Sequence, residues 1–230
     1  MLILAIPAMG GVLDDELNED ESADYAGLPK LRLSLEAGFS RWQYNHDTVT
    51  SDYKDYLNDV QNAWNYSAEL AYFPWPKGGI GVNWIWFLSK AQGRDILPYR
   101  NSTISHDLKE RVSFVYIGPT FLTRMHTGRF GLLVAGVGAG WLTVRRTWTD
   151  NGVGNLLEAA NYAVTANLGW DYSIYRFLGV GINGRFILCN VREYTYNGKR
   201  ITIVQPEAAY HWSNMPLHRF ELNAGVRFGL

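Results

Sequence analysis

Eight ionisable residues stand out by position: Arg32, Glu36, Glu69, Asp171, Arg185, Arg219, Glu221 and Arg227. Each falls inside a stretch of alternating character, on the face that otherwise carries small and polar residues. Two chemistries are open to carboxylates and guanidiniums on an enclosed face. An isolated carboxylate with a shifted protonation state can do acid–base work, or opposite charges can neutralise one another. Four cations match four anions here, and unpaired buried charges cost several kcal/mol each. Mutual pairing is therefore the expectation. The remaining reactive types are sparse. Cys189 is the sole cysteine, so neither a disulfide framework nor a thiol metal site is available, and it reads as a small residue within a strand. No phosphate-binding loop, dinucleotide fingerprint, zinc spacing or calcium loop is present, and no cofactor or metal is expected. The histidines are His46, His106, His126, His211 and His218. One neighbourhood, His211-Trp212-Ser213-Asn214, sets an imidazole beside a hydroxyl. The nearest acidic candidate, Glu221, is ten residues away. That is about 33 Å on a continuous strand, so a sharp bend near Pro216 would be needed to bring the two together.

The elements that position these residues are strands. From Arg219 to Leu230 the alternation is complete: Phe220, Leu222, Ala224, Val226, Phe228 and Leu230 on one face, Arg219, Glu221, Asn223, Gly225, Arg227 and Gly229 on the other. Leu31 to Ser40 repeats the pattern. Further strands are expected near 63–73, 79–89, 109–122, 130–145, 159–172 and 178–189. The fourth presents Val112, Phe114 and Tyr116 on its apolar face. Short connections fall near 74–78, 123–129 and 173–177, and long ones near 43–62, 90–108, 146–158 and 190–217. Such an alternation of lengths implies antiparallel neighbours throughout.

The composition decides which face is inside. The chain has 230 residues with nine Trp, fourteen Tyr and 23 Gly, a formal net charge of −1 and no apolar run long enough for a membrane helix. That charge balance excludes a global field for nucleic acid. The polar stripes are rich in Gly, Ser, Ala, Asn and Thr, and the six lysines lie in loops, turns or strand ends. A water-facing sheet carries Lys and Glu along its strands. The apolar stripes carry no formal charge, as a lipid-facing surface requires. The expectation is a closed, antiparallel, up-and-down transmembrane β-barrel of eight strands. Its apolar stripe faces lipid, and Trp42, Trp64, Tyr72, Trp86, Tyr162, Trp170 and Tyr172 form interfacial girdles. The eight ionisable residues form a polar network that plugs the lumen. A ten-stranded barrel is the alternative, because Ile201–Val204 and Glu207–Trp212 look strand-like and Tyr196-Asn197-Gly198-Lys199 is a hairpin-turn signal.

Residues 1–10 read as the remains of an export signal, 11–29 as an acidic linker and 30–230 as the barrel. The stretch Asp52 to Val60 is amphipathic enough for a short helix that could contact other surface molecules.

The closing strand Arg219–Leu230, the Tyr116-Ile117-Gly118-Pro119 strand end and Gly136-Val137-Gly138-Ala139-Gly140 together resemble the small outer-membrane barrel families typified by the OmpA membrane domain and OmpX. The resemblance covers about residues 30–230. It implies integral localisation in the outer membrane of a Gram-negative bacterium, with lipid and lipopolysaccharide as surroundings. It also implies an assembly signal at Phe228 and Leu230 read by the barrel-assembly machinery. No peptidoglycan-binding domain is expected after the barrel. Separately, His211-Trp212-Ser213-Asn214 resembles a segment of the outer-membrane lipid A deacylases. By that resemblance His211 is a base, Ser213 a nucleophile and Glu221 the orienting acid. The expected role is non-enzymatic: a plugged barrel, structural or interacting with other envelope proteins, through its extracellular loops or as a subunit of a membrane complex. A lipid A deacylase-like barrel and a small channel are the alternatives.

Overall fold

The computed structural model describes residues 28–42, 51–94, 107–128, 131–191, 193–202 and 215–229. Eight strands form the ring: β1 (Leu31–Trp42), β2 (Asn62–Tyr72), β3 (Gly78–Arg94), β4 (Asp107–His126), β5 (Leu132–Asp150), β6 (Val153–Tyr175) and β7 (Leu178–Val191), closed by β11 (Arg219–Gly229). Each pairs antiparallel with its neighbours, and β11 pairs on one side with β7 and on the other with β1. The closing register runs from Arg32 opposite Gly229 to Trp42 opposite Arg219. Closure removes the open edges that would expose unpaired backbone to lipid. The short strands β8 (Glu193–Tyr196) and β9 (Lys199–Thr202) form a hairpin whose first strand pairs with β6 at Leu157–Ala159. A two-residue bridge, β10 (Met215–Pro216), pairs with the end of β7. Strand-like character in 190–217 thus extends the barrel wall on one rim, and the ring keeps eight strands. The segment 203–214 lies outside the described residues.

The wall is taller than the alternation suggests. Residues 146–158 form no long loop: β5 and β6 continue as a paired hairpin to Asp150 opposite Val153, joined by Asn151-Gly152. Both turn residues have positive φ, 49° and 82°, the geometry of a tight hairpin turn matched to strand twist. Likewise β3 runs to Arg94 and β4 begins at Asp107, so 90–108 is partly strand. Tyr116-Ile117-Gly118-Pro119 is a mid-strand feature and no strand end. Pro119 pairs with Val82 of β3, while pairing with β5 lapses at Gly118-Pro119, where the proline has no N–H to offer.

Gly118 and Gly140 face each other at this lapse. A Cβ on Gly140 would stand 2.4 Å from the Ile117 carbonyl oxygen and 2.6 Å from the Gly118 Cα, with the Tyr116 ring at 2.8 Å. The two glycines thereby make room for Tyr116 to lie across the inner wall.

Candidate functional site

The outer surface of the ring is apolar. Leu35 and Phe39 of β1, Trp64, Tyr66, Leu70 and Tyr72 of β2, Ile80, Val82 and Trp84 of β3, and Leu222 and Val226 of β11 are all exposed. The stripe on β6 runs from Tyr162 to Tyr172. Ten residues cover about 33 Å of strand at 3.3 Å per residue. At a tilt of about 40° that spans about 25 Å along the barrel axis, the height of an outer-membrane apolar band. The arrangement is inverted relative to a water-soluble domain: large aromatics point out, while arginine and glutamate are among the most buried side chains. Among the described residues, no helix is long and apolar enough to cross a membrane. The strands do the crossing.

Inside, the structure brings all eight ionisable residues together in one alternating chain. Glu69 meets Arg32 at 2.5 Å, and Arg32 also meets Asp171 at 2.6 Å. Asp171 accepts from Arg227 Nε at 2.8 Å, and Arg227 Nη2 donates to Glu36 at 2.7 Å. Glu36 meets Arg185 at 3.1 Å, and Arg185 meets Glu221 at 3.2 Å. Glu221 ends the chain against Arg219. Ser67 Oγ and Asn183 Nδ2 add donors to Glu36 at 2.9 and 3.2 Å. The members come from β1, β2, β6, β7 and β11, so the ladder straddles the seam where the first and last strands close the ring. No member is left without an opposite charge, as buried ions require.

The ladder fills only part of the lumen. On the side away from the termini the interior is hydrophobic: Ile85 and Phe87 of β3, Val112, Phe114 and Tyr116 of β4, Leu142 and Val144 of β5, Ile187, Cys189 and Val191 of β7. Val112, Phe114 and Tyr116 therefore face inward, opposite to the sequence reading, and Phe114 is 1 % exposed. Trp42 is likewise interior, packed edge-on to Phe114 at 5.6 Å, and does not belong to a girdle. Trp64, Tyr72, Tyr162, Trp170 and Tyr172 are exposed on the outside, and Trp86 is half-buried there with its indole N–H donating to Ser113. Arg219 joins the two zones, its guanidinium 4.5 Å from the Phe87 ring centroid and 5.0 Å from that of Phe114.

A helix, α1 (Ser51–Gln61), covers the hydrophobic zone. Its amphipathic pattern puts Tyr56 and Val60, one turn apart, into the interior, and both are buried. The short helix expected over Asp52–Val60 is present, with its apolar face turned into the barrel and Asp55, Asn58 and Asp59 exposed on its other side. Tyr56 donates its hydroxyl to Glu110 at 2.5 Å, and Arg146 binds the same carboxylate. At the opposite end Arg124 stacks on Phe73 at 4.2 Å and donates to the carbonyls of Pro76 and Pro29. It ties the chain entering β1 to the turn after β2. Sequence reasoning missed Glu110, Arg146 and Arg124. The signal was parity: Glu110 and Arg124 alternate in phase with Phe114, so a face bearing all three cannot meet lipid along its length.

Among the described residues no group of His, Cys, Asp and Glu could hold a metal ion. His211, Ser213 and Leu230 lie outside the described residues. Glu221, their expected acidic partner, is fully buried between Arg185 and Arg219. Phe228 is half-buried on β11 opposite Leu33.

No family model and no curated protein matches the chain. Solved structures do. The outer membrane protein OprG from Pseudomonas aeruginosa aligns with a TM-score of 0.53 at 10 % identity, over 88 % of this chain and 97 % of that one. This chain has the fold of an outer-membrane β-barrel. Neisserial surface protein A aligns at a TM-score of 0.47 and 12 % identity, over 87 % and 97 % of the two chains. The outer membrane protease OmpT from Escherichia coli aligns at 0.42 and 10 %, over 87 % and 96 %. At such identities the likeness concerns the fold alone. The fold shared with OprG and the exposed apolar band together make the protein an integral outer-membrane barrel.

Proposed function

We propose that this barrel is a closed, non-enzymatic element of the outer membrane that works through its extracellular rim. The observation that carries the reading is the filled lumen: an ionic ladder, a hydrophobic layer above it and α1 over that. A conducting pore needs a continuous water-filled path, and a lumen catalyst needs a group free to react. Here every carboxylate of the ladder has at least one arginine, and Glu221, required by the deacylase-like reading, has two. Among the described residues the outward-reaching parts are the β5–β6 hairpin and the β8–β9 hairpin beside it. They form a sheet above the apolar band, on which a partner from the envelope or the surroundings can dock.

Three measurements test this. In planar bilayers the folded protein should give no single-channel steps, and steady conductance would favour the small-channel alternative. In membranes with and without the protein, lipid A acyl patterns should be identical. Acyl loss abolished by Ser213→Ala would favour the enzyme. Cross-linking from the two hairpins in intact cells should capture an envelope partner, and a clean negative across both hairpins would leave only a structural role.

A further inference from the structure

The outer face of β3–β5 carries a cationic patch just beyond the apolar band, and we infer that it binds the phosphorylated headgroup of an outer-leaflet glycolipid. The inference rests on the outward stripe facing lipid, not on the absence of enzymatic activity. Lys90 on β3 and Arg111 on β4 are directly opposite in the register. Both point outward and are exposed. Like charges directly opposite across a sheet are destabilising unless something neutralises them. The nearby charges have partners: Lys109 with Asp107 at 3.2 Å, Arg145 with Glu158 at 3.5 Å, and Arg200 with Glu193. Among the described residues Lys90 and Arg111 have no carboxylate, so this face keeps two uncompensated positive charges side by side.

Their depth fits a headgroup. Lys90 is two residues beyond Leu88 and four beyond Trp86, whose half-buried indole marks the edge of the band. Four residues are about 13 Å of strand, or about 10 Å along the barrel axis at a tilt of about 40°. Headgroups begin just outside the hydrocarbon core, and long basic side chains reach such depths with their stems on apolar wall. A second observation lies beside the pair. Small outward residues of β4 and β5, Ser113 and Thr143 with Arg145, together with Glu158 and Arg200, line a surface cavity of about 640 Å³. A phosphate seated between Lys90 and Arg111 would place its sugar toward this hollow and its acyl chains down the apolar stripe. A free anion would gain the charge contacts but not the stripe, so the patch fits a membrane lipid rather than a soluble ligand.

The test uses the full folded chain in detergent micelles, with native mass spectrometry reading bound lipid. Bisphosphorylated lipid A, fully dephosphorylated lipid A and inorganic phosphate are the three probes. The wild type should hold the bisphosphorylated lipid, and Lys90→Gln/Arg111→Gln should weaken it about thirty-fold, at the strength expected of two basic residues near a charged membrane surface. Dephosphorylated lipid should bind both proteins equally weakly. Arg176→Gln, which removes an exposed cation in the turn between β6 and β7 on the opposite rim, should bind like the wild type, and Lys90→Arg/Arg111→Lys should retain binding. Unfolded and folded forms are told apart by gel mobility before and after boiling. If the double Gln variant does not fold, Lys90→Gln alone must show about a five-fold loss. Equal binding by wild type and either folded Gln variant overturns the proposal. Displacement of the lipid by inorganic phosphate at equal concentration overturns it as well, because the site would then read phosphate alone.

Discussion

Glu36 is the residue on which the interior turns. It accepts from Arg185 and Arg227 and from Ser67 and Asn183, so one carboxylate satisfies donors from β2, β7 and β11 while itself standing on β1. Glu36→Ala leaves two buried guanidiniums short of an anion. Breaking a buried pair from one side costs about 3–5 kcal/mol, because the remaining charge has no solvent to turn to. The expected outcome is a loss of that size in denaturant unfolding of the protein in lipid vesicles. Glu36→Gln, which keeps an acceptor and the shape, should lose less. Equal stability of Glu36→Ala and wild type would mean that water already screens the ladder. Phe114→Ala addresses the other layer. It removes a ring enclosed by Trp42 and Phe87 and capped by Arg219. It should cost about 3–5 kcal/mol in the same assay. If Phe114 faced lipid, its removal would be nearly neutral.

At the scale of elements, the period-two pattern gave away the existence and pairing of the strands, because alternation is what a wall between two environments imposes. It did not give away which environment lay behind each stripe where both were apolar. On β4, Val112, Phe114 and Tyr116 match a lipid stripe as well as an interior stripe, and among the described residues it is α1 that covers the hydrophobic layer they join. The charged ladder was readable because ions leave one choice of side inside a membrane, whereas the helix cover was not, because nothing in Tyr56 or Val60 specifies the direction of their face. The cover makes a local prediction. Tyr56→Phe deletes one hydrogen bond to the Glu110 carboxylate, which keeps Arg146. Bonds to a charged group are worth about 1.5–3 kcal/mol. Amide exchange in 51–61 should quicken by at least ten-fold while β1, β2 and β11 are unchanged. Quickening throughout the ring would show that α1 is part of the barrel's folding unit rather than a cover laid on it.

At the scale of the whole molecule, the inside-out distribution of tryptophan separates a membrane barrel from every soluble arrangement of the same strands. Trp64, Trp84 and Trp141 are exposed on the outer wall, at 66 %, 41 % and 41 %, whereas Trp42 is interior at 4 %. Bromine on acyl chains quenches an indole only on close approach. In vesicles of brominated phospholipid, variants that keep a single one of the three outer tryptophans should be quenched relative to the unbrominated lipid. A variant keeping only Trp42 should not respond, because the wall and the Phe114 ring stand between it and the chains. The contrast is geometric and survives modest loss of stability in the variants, provided each keeps the mobility of a folded barrel on unboiled gels. A soluble barrel would show the reverse order, with outer indoles in water and insensitive to lipid. Quenching of Trp42 to the extent of Trp64 would mean that the strand carrying Arg32 and Glu36 presents its charged face to the bilayer, where each ion costs about 2–4 kcal/mol at mid-depth. No closed ladder of the kind seen here could form from that side.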